Sequence, residues 1–490
     1  MEQEKKKERL FNSKAYFQYF SSEVDKIAEG EALIEINTEE VIISLKFKEP
    51  FIIKFIDIIE INPIAYKAYL LLSPSGKLII SQLGFEFENF VRILREARNE
   101  LIAKYLLMEE QVIRKDIKAE FKFFDDDKVS YAGNCNIVIY ETGLSILPDN
   151  GRLLRVAYCE ITDIIEGDYL LKILTDEGKI LELSKLGYEF ESFKKILFET
   201  INNLNIFAQN LVIKLDPSLD TISVNSLAKL LIDGKAAMKK DIVKYSQRVW
   251  DSLEKEIEKA GILKEYNYLK SLSKDDQIAI GLKQGLMGDL TSDYIWFLMP
   301  IYSNDSKKPG NAIAMEAVPI ESDINHKEQI KDEDQIKENS NINTNTINKA
   351  VSIDENIKNG DEKNTSETDS TGKATYFFKI INRNDYLNLE NVLKIELEIS
   401  NLIKKINKAM ISINFRREPI YIDENALYDP KNIKYKFAIS NIAELEELRE
   451  KFIGRVIHLN FDYWKNKIQE LLKFNVDTAD EKAKFKKVEN

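Results

Sequence analysis

The sequence predicts a multidomain α+β protein in which two consecutive units of antiparallel strands, each ending in a helix, precede a helical hairpin and a mixed α/β unit. Three observations predict it. One helical segment occurs twice, hydrophobic periodicity changes from that of strands to that of helices along the chain, and one stretch of the C-terminal half has no aromatic residue. At 490 residues the chain is long enough for about two to four folding units.

The repeated helical segment is the strongest pattern. Leu83 to Leu101 and Leu186 to Leu204 are identical at 11 of 19 positions, 103 residues apart. Apolar residues in both copies are spaced for one helix face: Phe87, Phe90, Leu94 and Leu101, then Phe190, Phe193, Leu197 and Leu204. Glu86, Glu88, Glu189 and Glu191 fall in the first turns, where carboxylates favour the helix dipole. Gly84 and Gly187 allow a sharp turn before each helix.

Short strands are predicted before each helix, rich in β-branched and aromatic residues and separated by turn signals. They read ALIEIN, VIISLKF, FIIKF, IIEI, AYLLL and KLII in the first unit, and NIVIY, GLSIL, LLRVAY, ITDII, YLLKIL and KILEL in the second. Asp149, Asn150 and Gly151 are typical of a hairpin turn. The two units are predicted at 20–112 and 118–212, each with about six or seven antiparallel strands.

This order of elements resembles the pleckstrin-homology-like (PH-like) superfamily, of PH or GRAM type, over about residues 20–210. The resemblance implies an antiparallel barrel closed at one end by the C-terminal helix, and protein or peptide recognition as a common use. Lipid-binding members usually carry a basic hairpin between the first two strands. The hairpins predicted there, Asn37-Thr38-Glu39-Glu40 and Thr142-Gly143, are not basic, which disfavours phosphoinositide binding.

Residues 222–290 are predicted to form a helical hairpin that packs against a neighbouring unit. Helical spacing links Ile242, Tyr245, Val249, Leu253 and Ile257, and Gly261 follows at the expected C-terminal cap. Leu227, Leu230 and Leu231 give a shorter amphipathic stretch before Gly234. A second long helix is predicted at 274–287.

Residues 291–475 are predicted to form a mixed α/β unit that resembles no family. Apolar strands are predicted at 294–302, 311–318 and 374–380, the first two as a hairpin. The insert 321–373 has no Phe, Trp or Tyr and holds 13 acidic residues against seven lysines, so it is predicted to be a disordered loop. Three further helices are predicted at 389–410, 441–452 and 461–473. Three further strands are predicted at 411–415, 419–422 and 455–459, and the chain ends in a predicted tail at 476–490.

Composition and charge narrow the functional classes. The net charge is −12, with 44% hydrophobic and 31% charged residues, a profile typical of soluble globular proteins. No clustered basic face of the kind that nucleic acid requires is predicted, because Arg92, Arg95 and Arg98 alternate with glutamates on a helix face expected to be solvated. No apolar run is long enough to span a bilayer, so the chain is predicted to be cytoplasmic.

Few residues are candidates for chemistry. His326 lies in the insert and His458 in an apolar strand, so they cannot assemble a metal cage or a catalytic triad, and His458 is predicted to be buried and satisfied. Cys135 and Cys159 are predicted to be reduced core thiols. The acidic run 125–127 lacks the ligand spacing of a calcium loop and is predicted to be a turn.

Glycines and arginines of the C-terminal half also match no known binding motif. Gly281, Gly285 and Gly288 match neither the P-loop nor the dinucleotide-binding spacing and are predicted to end a helix. Arg416 and Arg417 would clamp a phosphate or carboxylate only if they acted together, and adjacent strand residues point to opposite faces.

The sequence therefore predicts no catalytic, cofactor-binding or metal-binding residue and no cofactor, and it identifies no binding residue. The main hypothesis is a non-enzymatic interaction or scaffold protein that binds a protein partner through the tandem units, with self-association left open. A second hypothesis is peripheral binding to anionic membranes, suggested by lysine runs at 5–7 and 482–487. A third is an enzyme with a C-terminal pocket that gathers Arg416, Arg417 or His458.

Overall fold

The computed structural model describes residues 8–21, 26–73, 75–108, 110–125, 128–148, 153–283, 293–303, 310–320, 373–382 and 392–474. The predicted insert, except for Lys373, the predicted tail and the turn residues Asp149, Asn150 and Gly151 lie outside these ranges. His326, Gly285 and Gly288 lie outside them as well.

Two seven-stranded antiparallel sheets occupy the first half of the chain. The first has the order β4-β3-β2-β1-β7-β6-β5, and the second repeats it as β11-β10-β9-β8-β14-β13-β12. The strands of the first sheet are β1 Arg9–Phe20, β2 Lys26–Asn37, β3 Glu40–Ser44, β4 Phe51–Lys54, β5 Ile58–Ile64, β6 Lys67–Leu72 and β7 Gly76–Ser81. Those of the second are β8 Val112–Asp125, β9 Lys128–Tyr140, β10 Gly143–Pro148, β11 Leu154–Ala157, β12 Ile161–Gly167, β13 Leu170–Thr175 and β14 Ile180–Ser184.

A helix follows each sheet, α1 at Phe87–Tyr105 and α2 at Phe190–Leu215. The predicted helix faces are confirmed, because Phe90 and Leu94 in α1 and Phe193 and Leu197 in α2 are fully buried. The glycine turn is confirmed as well: Gly84 and Gly187 have φ values of 56° and 61°, which only glycine adopts readily.

The expectation of closed barrels is wrong, because each sheet is open. The short strands β4 and β5 lie at opposite edges of the first sheet and are joined by a 3₁₀ turn at Phe55–Asp57. A 3₁₀ turn at Tyr158–Glu160 joins β11 to β12 in the same way. In each unit, the 3₁₀ turn carries the chain from one edge of the sheet to the opposite edge, and the two edge strands do not pair with each other.

A long strand precedes the six predicted in each unit. In β1 few side chains are buried, chiefly Phe11, Ala15 and Phe17, so its hydrophobic signal is weak. The hairpins at 37–40 and 142–143 consequently join second and third strands rather than first and second. Segments 21–25 and 126–127, which do join the first two strands, also contain no lysine or arginine.

Four helices, rather than a hairpin, follow the second sheet: α3 Thr221–Leu231, α4 Lys239–Val243, α5 Gln247–Lys259 and α6 Leu263–Leu272. Tyr245 lies in a break between α4 and α5, where the Ser246 side chain accepts a hydrogen bond from the backbone of Val249. Gly261, with a φ of 72°, lies just beyond α5 as predicted. The helix predicted at 274–287 is wrong, because Ala279–Lys283 is a strand with all five residues buried.

A six-stranded antiparallel sheet forms the centre of the C-terminal half, in the order β15 to β20. Its strands are β15 Ala237–Met238, β16 Ala279–Lys283, β17 Tyr294–Ile301, β18 Ala312–Pro319, β19 Ala374–Lys379 and β20 Phe452–Ile457, which confirms the predicted apolar hairpin and third strand. The remaining helices are α7 Val392–Ser412, α8 Glu418–Tyr421, α9 Ile433–Asn441, α10 Ala443–Lys451 and α11 Phe461–Phe474. The strands predicted at 411–415 and 419–422 are wrong; α7 continues through Ser412, and α8 covers the second segment.

The two tandem units differ in whether their hydrophobic core is shared with the rest of the chain. Residues between Phe11 and Leu101 form a core that belongs to the first sheet and α1 alone. The core of the second sheet continues through α2, α3 and α5 into one face of the third sheet and α11. No helix in the described part of the chain is long and apolar enough to cross a membrane.

Candidate functional site

His458 lies directly after β20 in a buried polar network, as its sequence context predicts. Its Nε2 is 3.3 Å from Oε1 of the fully buried Glu316 and 3.2 Å from Oγ1 of Thr375. Thr375 donates its hydroxyl proton to Glu316 Oε2 and accepts the indole N–H of Trp464. A further bond between Thr375 and His458 therefore requires a proton on Nε2. Glu316 Oε1 accepts no hydrogen bond from the described residues, although His458 lies near it. Because Thr375 donates its hydroxyl proton to Glu316 and not to His458, His458 is not placed as the base of a Thr375 nucleophile.

The other sequence candidates of the C-terminal half do not meet. Arg417 donates to the carbonyl oxygen of Ala317 at 2.8 Å, which ties the start of α8 to β18. Gly281 lies in β16, where an added Cβ would be 2.4 Å from Trp296 Nε1, so its role is close packing and not the predicted helix end. Arg416, Arg417 and His458 line neither of the two large cavities of the described chain.

The cysteines and the acidic run show no reactive or metal-binding arrangement. Cys135 is buried in β9, whereas Cys159 is half-buried in the 3₁₀ turn that follows β11, and the two form no disulfide. Burial raises the pKa of the Cys159 thiol far above its ordinary range, so the thiolate nucleophile is disfavoured. Asp125 ends β8, and residues 126–127 are outside the described chain. Among the residues that the structure describes, no cluster of three or more potential metal ligands occurs.

The larger cavity, of about 650 Å³, lies where the first sheet, the second sheet and α9 meet. It is lined by both apolar and charged residues, including Asp57, Arg98 and Lys436. Arg98 is buried, which corrects the prediction of a solvated arginine face: its Nε donates to the carbonyl oxygen of Ile58 at 2.8 Å and its Nη2 to that of Ile59 at 3.1 Å. Burial lowers its pKa to about 10, so it remains charged at neutral pH.

A smaller cavity of about 240 Å³ lies between the second sheet and helices α7 and α10. Lys408 of α7 holds Glu177 at 2.8 Å and Glu444 at 3.0 Å there. Burial raises the pKa of neighbouring Glu160 to about 7, although Lys408 opposes the shift. Volumes of this order suit small ligands, but the mixed charges in both cavities favour no single ligand class.

Two buried ion pairs were not predicted, one beside the smaller cavity, which Arg155 lines, and one between α2 and β16. Glu110 pairs with Arg155, and Asp233 pairs with Lys283, with all four side chains largely inaccessible. Burial raises the pKa of the Asp233 carboxyl. Burial also opposes the charged form of Glu110, but the charge of Arg155 and the hydrogen bonds from Thr142 and Arg155 together outweigh it and lower the pKa of Glu110. The partners come from distant parts of the sequence, and no sequence pattern connects them.

Exposed aromatic residues recur at the same place in both tandem units. In the first unit, Tyr66 and Phe85 are 72% and 107% exposed; we call this pair the first corner. The second corner is its counterpart 103 residues later, Tyr169 and Tyr188, which are 68% and 97% exposed. Tyr66 packs at 5.7 Å on Phe87, and Tyr169 packs at 5.6 Å on Phe190, so each hairpin tyrosine covers the first residue of the following helix.

Both hairpin tyrosines have an unusual backbone. Tyr66 and Tyr169 have φ values of 57° and 51°, in the left-handed region that bulky residues avoid. Ten other described non-glycine residues share such a φ, and both tyrosines lie in two-residue connections between paired strands, where tight turns use it. The sequence contained a signal for the corners, because aromatic residues occupy both copies. Their exposure was visible only in the structure.

Comparisons with known proteins add little. No family model matches the chain, and a search of curated proteins found no match. Among solved structures, the C-terminal domain of an unknown protein from Leishmania infantum aligns at 13% identity over 21% of this chain and 96% of that chain, with a TM-score of 0.18. The Spt16D Pob3N heterodimer structure aligns at 11% identity over 34% of this chain and 85% of that chain, with a TM-score of 0.15.

Proposed function

We propose that this chain is a non-enzymatic interaction protein that recognises a protein partner through two PH-like units. The order of elements in each unit, antiparallel strands and then one helix, supports the PH-like assignment even though the sheets are open. The observation that carries the proposal is the aromatic corner, present twice at equivalent positions.

The physical chemistry of the corners favours a macromolecular partner. Exposed aromatic side chains leave a large apolar area in water, and Tyr and Phe are enriched in protein interfaces because their burial contributes much of the binding energy. None of the four corner residues lines either of the two large cavities, so they suit contact with a partner's surface better than enclosure of a small substrate.

The test is affinity capture from an extract of the source cells with the full-length protein. A corner variant, Y66S/F85S/Y169S/Y188S, removes all four exposed rings. A matched control, I222S/Y245S/L397S/L459S, removes four exposed apolar side chains outside the tandem units. We expect a stoichiometric partner with the wild-type and control proteins and at least about a ten-fold lower recovery with the corner variant. Circular dichroism checks that both variants are folded.

Two outcomes contradict the proposal. Equal recovery of the partner by the corner variant would show that the corners are not the binding surface. Failure of the wild-type protein to retain any partner, together with salt-sensitive flotation on anionic vesicles, would favour the membrane alternative, because polybasic attraction weakens with ionic strength.

A further inference from the structure

We infer that the first corner binds a cationic and apolar segment of the partner protein, whereas the second corner obtains its cations from its own chain. This inference rests on the proposed function. It follows from a difference between two copies of one local structure.

The glutamates of the second corner are neutralised within the molecule. Glu189 lies 3.6 Å from Nη2 of Arg114, a residue of β8. Arg114 also donates a hydrogen bond from Nη1 to the hydroxyl oxygen of Ser192 at 2.7 Å. Lys194 of α2 lies 2.9 Å from Glu191 and 2.5 Å from Glu166 of the β12 hairpin. Its Nζ stands 5.5 Å from the centre of the Phe190 ring, on which Tyr169 packs. Two cations therefore lie beside the aromatic pair.

The first corner has the same glutamates but not these cations. The residue equivalent to Lys194 is Val91, which is buried in the core. Arg114 pairs across the sheet with Ile139, and Phe11 pairs with Ile36, the counterpart of Ile139, so Phe11 is the residue equivalent to Arg114. Phe11 is buried at 5.4 Å from Phe90. Both substitutions replace a cation with an apolar core residue.

Glu86 and Glu88 therefore remain open to solvent. Within the described part of the chain, Glu86 accepts a hydrogen bond from Asn89, and neither glutamate forms an ion pair with a lysine or arginine. Lys67 is exposed beside Tyr66 but pairs with neither of them. The first corner thus combines a fully exposed Phe85, an exposed Tyr66 and two carboxylates without a cation partner.

The contacts at the second corner indicate which chemical groups would bind at the first corner. A partner segment that supplies lysine or arginine near Glu86 and Glu88, with an apolar side chain over Phe85 and Tyr66, would reproduce the contacts that Arg114 and Lys194 make. The carboxylates would select a cationic partner, and burial of the aromatic rings would supply most of the affinity, because exposed ion pairs contribute little by themselves.

The test measures binding of a defined probe to the full-length protein by fluorescence anisotropy. The probe is a fluorescein-labelled peptide of alternating lysine and leucine, and its counterpart of alternating glutamate and leucine is the control probe. E86Q/E88Q removes the charge of the first corner, and E189Q/E191Q is the matched control at the second. All four positions are at or near the surface, and glutamine preserves side-chain size, so folding is expected to be retained.

The wild-type protein is expected to prefer the lysine–leucine peptide, with an affinity that falls as salt is raised. E86Q/E88Q should weaken this binding by about five- to ten-fold, and E189Q/E191Q should change it by less than about two-fold. Equal losses in the two variants, no loss in E86Q/E88Q, or equal binding of the two peptides would each overturn the inference.

The inference can fail while the proposed function stands. If E86Q/E88Q retained the cellular partner that Y66S/F85S/Y169S/Y188S loses, the corners would bind protein without selecting a cationic segment. If Y66S/F85S/Y169S/Y188S also retained the partner, the proposed function would fail.

Discussion

Glu160 is a carboxyl group whose protonation is set by its surroundings and not by its sequence neighbours. It sits at the end of the 3₁₀ turn between β11 and β12, near Lys408 of α7 and beside the smaller cavity. Burial there penalises the charged form and raises its pKa from 4.5 to about 7. Glu160 therefore changes charge close to neutral pH at a junction between the second sheet and the C-terminal helices.

The first prediction concerns the pH dependence of stability. Between the ordinary pKa of 4.5 and the folded value of about 7, the folded protein holds a proton at Glu160 that the unfolded chain has released, so stability falls as pH rises through this window. Glu160→Gln mimics the protonated form. It should stabilise the protein by up to about 3 kcal/mol near pH 8 and by much less near pH 5, measured by urea denaturation.

A surface glutamate provides the comparison. Glu199→Gln changes an exposed carboxylate on α2 that lies 3.8 Å from Lys195, and it should leave the pH dependence close to that of the wild type. Shifted groups that do not interact with Glu160 or Lys408 are the same in all three proteins, so their contributions cancel in the comparison. An equal effect of Glu160→Gln at both pH values would contradict the prediction.

At the scale of elements, β16 shows why one predicted helix is a strand. All five residues of Ala279–Lys283 are buried, and the strand is covered on both faces, so the alternation that identifies a half-exposed strand is absent. Gly281 brings β16 close to its neighbours, because Trp296 Nε1 donates to the carbonyl oxygen of Gly234 at 2.7 Å directly beside it. The glycine therefore leaves space for that hydrogen bond.

The second prediction compares two glycines. In Gly281→Ala the new Cβ would lie 2.4 Å from Trp296 Nε1 and 2.5 Å from the oxygen of Gly234, so we expect a loss of about 3 kcal/mol or more in the free energy of unfolding. In Gly187→Ala no atom lies within 4 Å, and only the left-handed backbone opposes the change, so a loss of about 1 kcal/mol is expected. Chemical denaturation of both variants measures the difference, and equal losses would refute the packing argument.

At the scale of the whole molecule, the two tandem units differ in independence despite their common topology. The first has a core of its own, from Phe11 to Leu101. The second shares its core with the rest of the chain, because α2 continues to Leu215 and buries Leu211 and Val212 against later helices. The second unit is therefore stabilised by partners outside its predicted boundaries of 118–212.

The third prediction follows from this difference. A fragment of residues 1–108 should fold alone and show a cooperative thermal transition, whereas a fragment of residues 110–215 should expose the apolar face of the end of α2 and be aggregated or poorly ordered. Circular dichroism and size-exclusion chromatography test both. A stable, monomeric fragment of the second unit would show that the shared core is not required.

The sequence by itself determined the tandem repeat, the buried faces of α1 and α2, the glycine turns before them and the apolar strands of the third sheet. These features are local, because periodicity and turn chemistry specify them over a few residues. Tertiary structure decided the open sheets, the strand at β16, the burial of Arg98 and the partners of His458. Each depends on chain segments that meet only after folding, as Glu316 in β18, Thr375 in β19 and His458 just after β20 do. The two corners depend on both the sequence and the tertiary structure. The sequence repeat places aromatic residues at equivalent positions, but only the folded packing leaves them exposed to solvent, because their neighbours Phe87 and Phe190 fill the core.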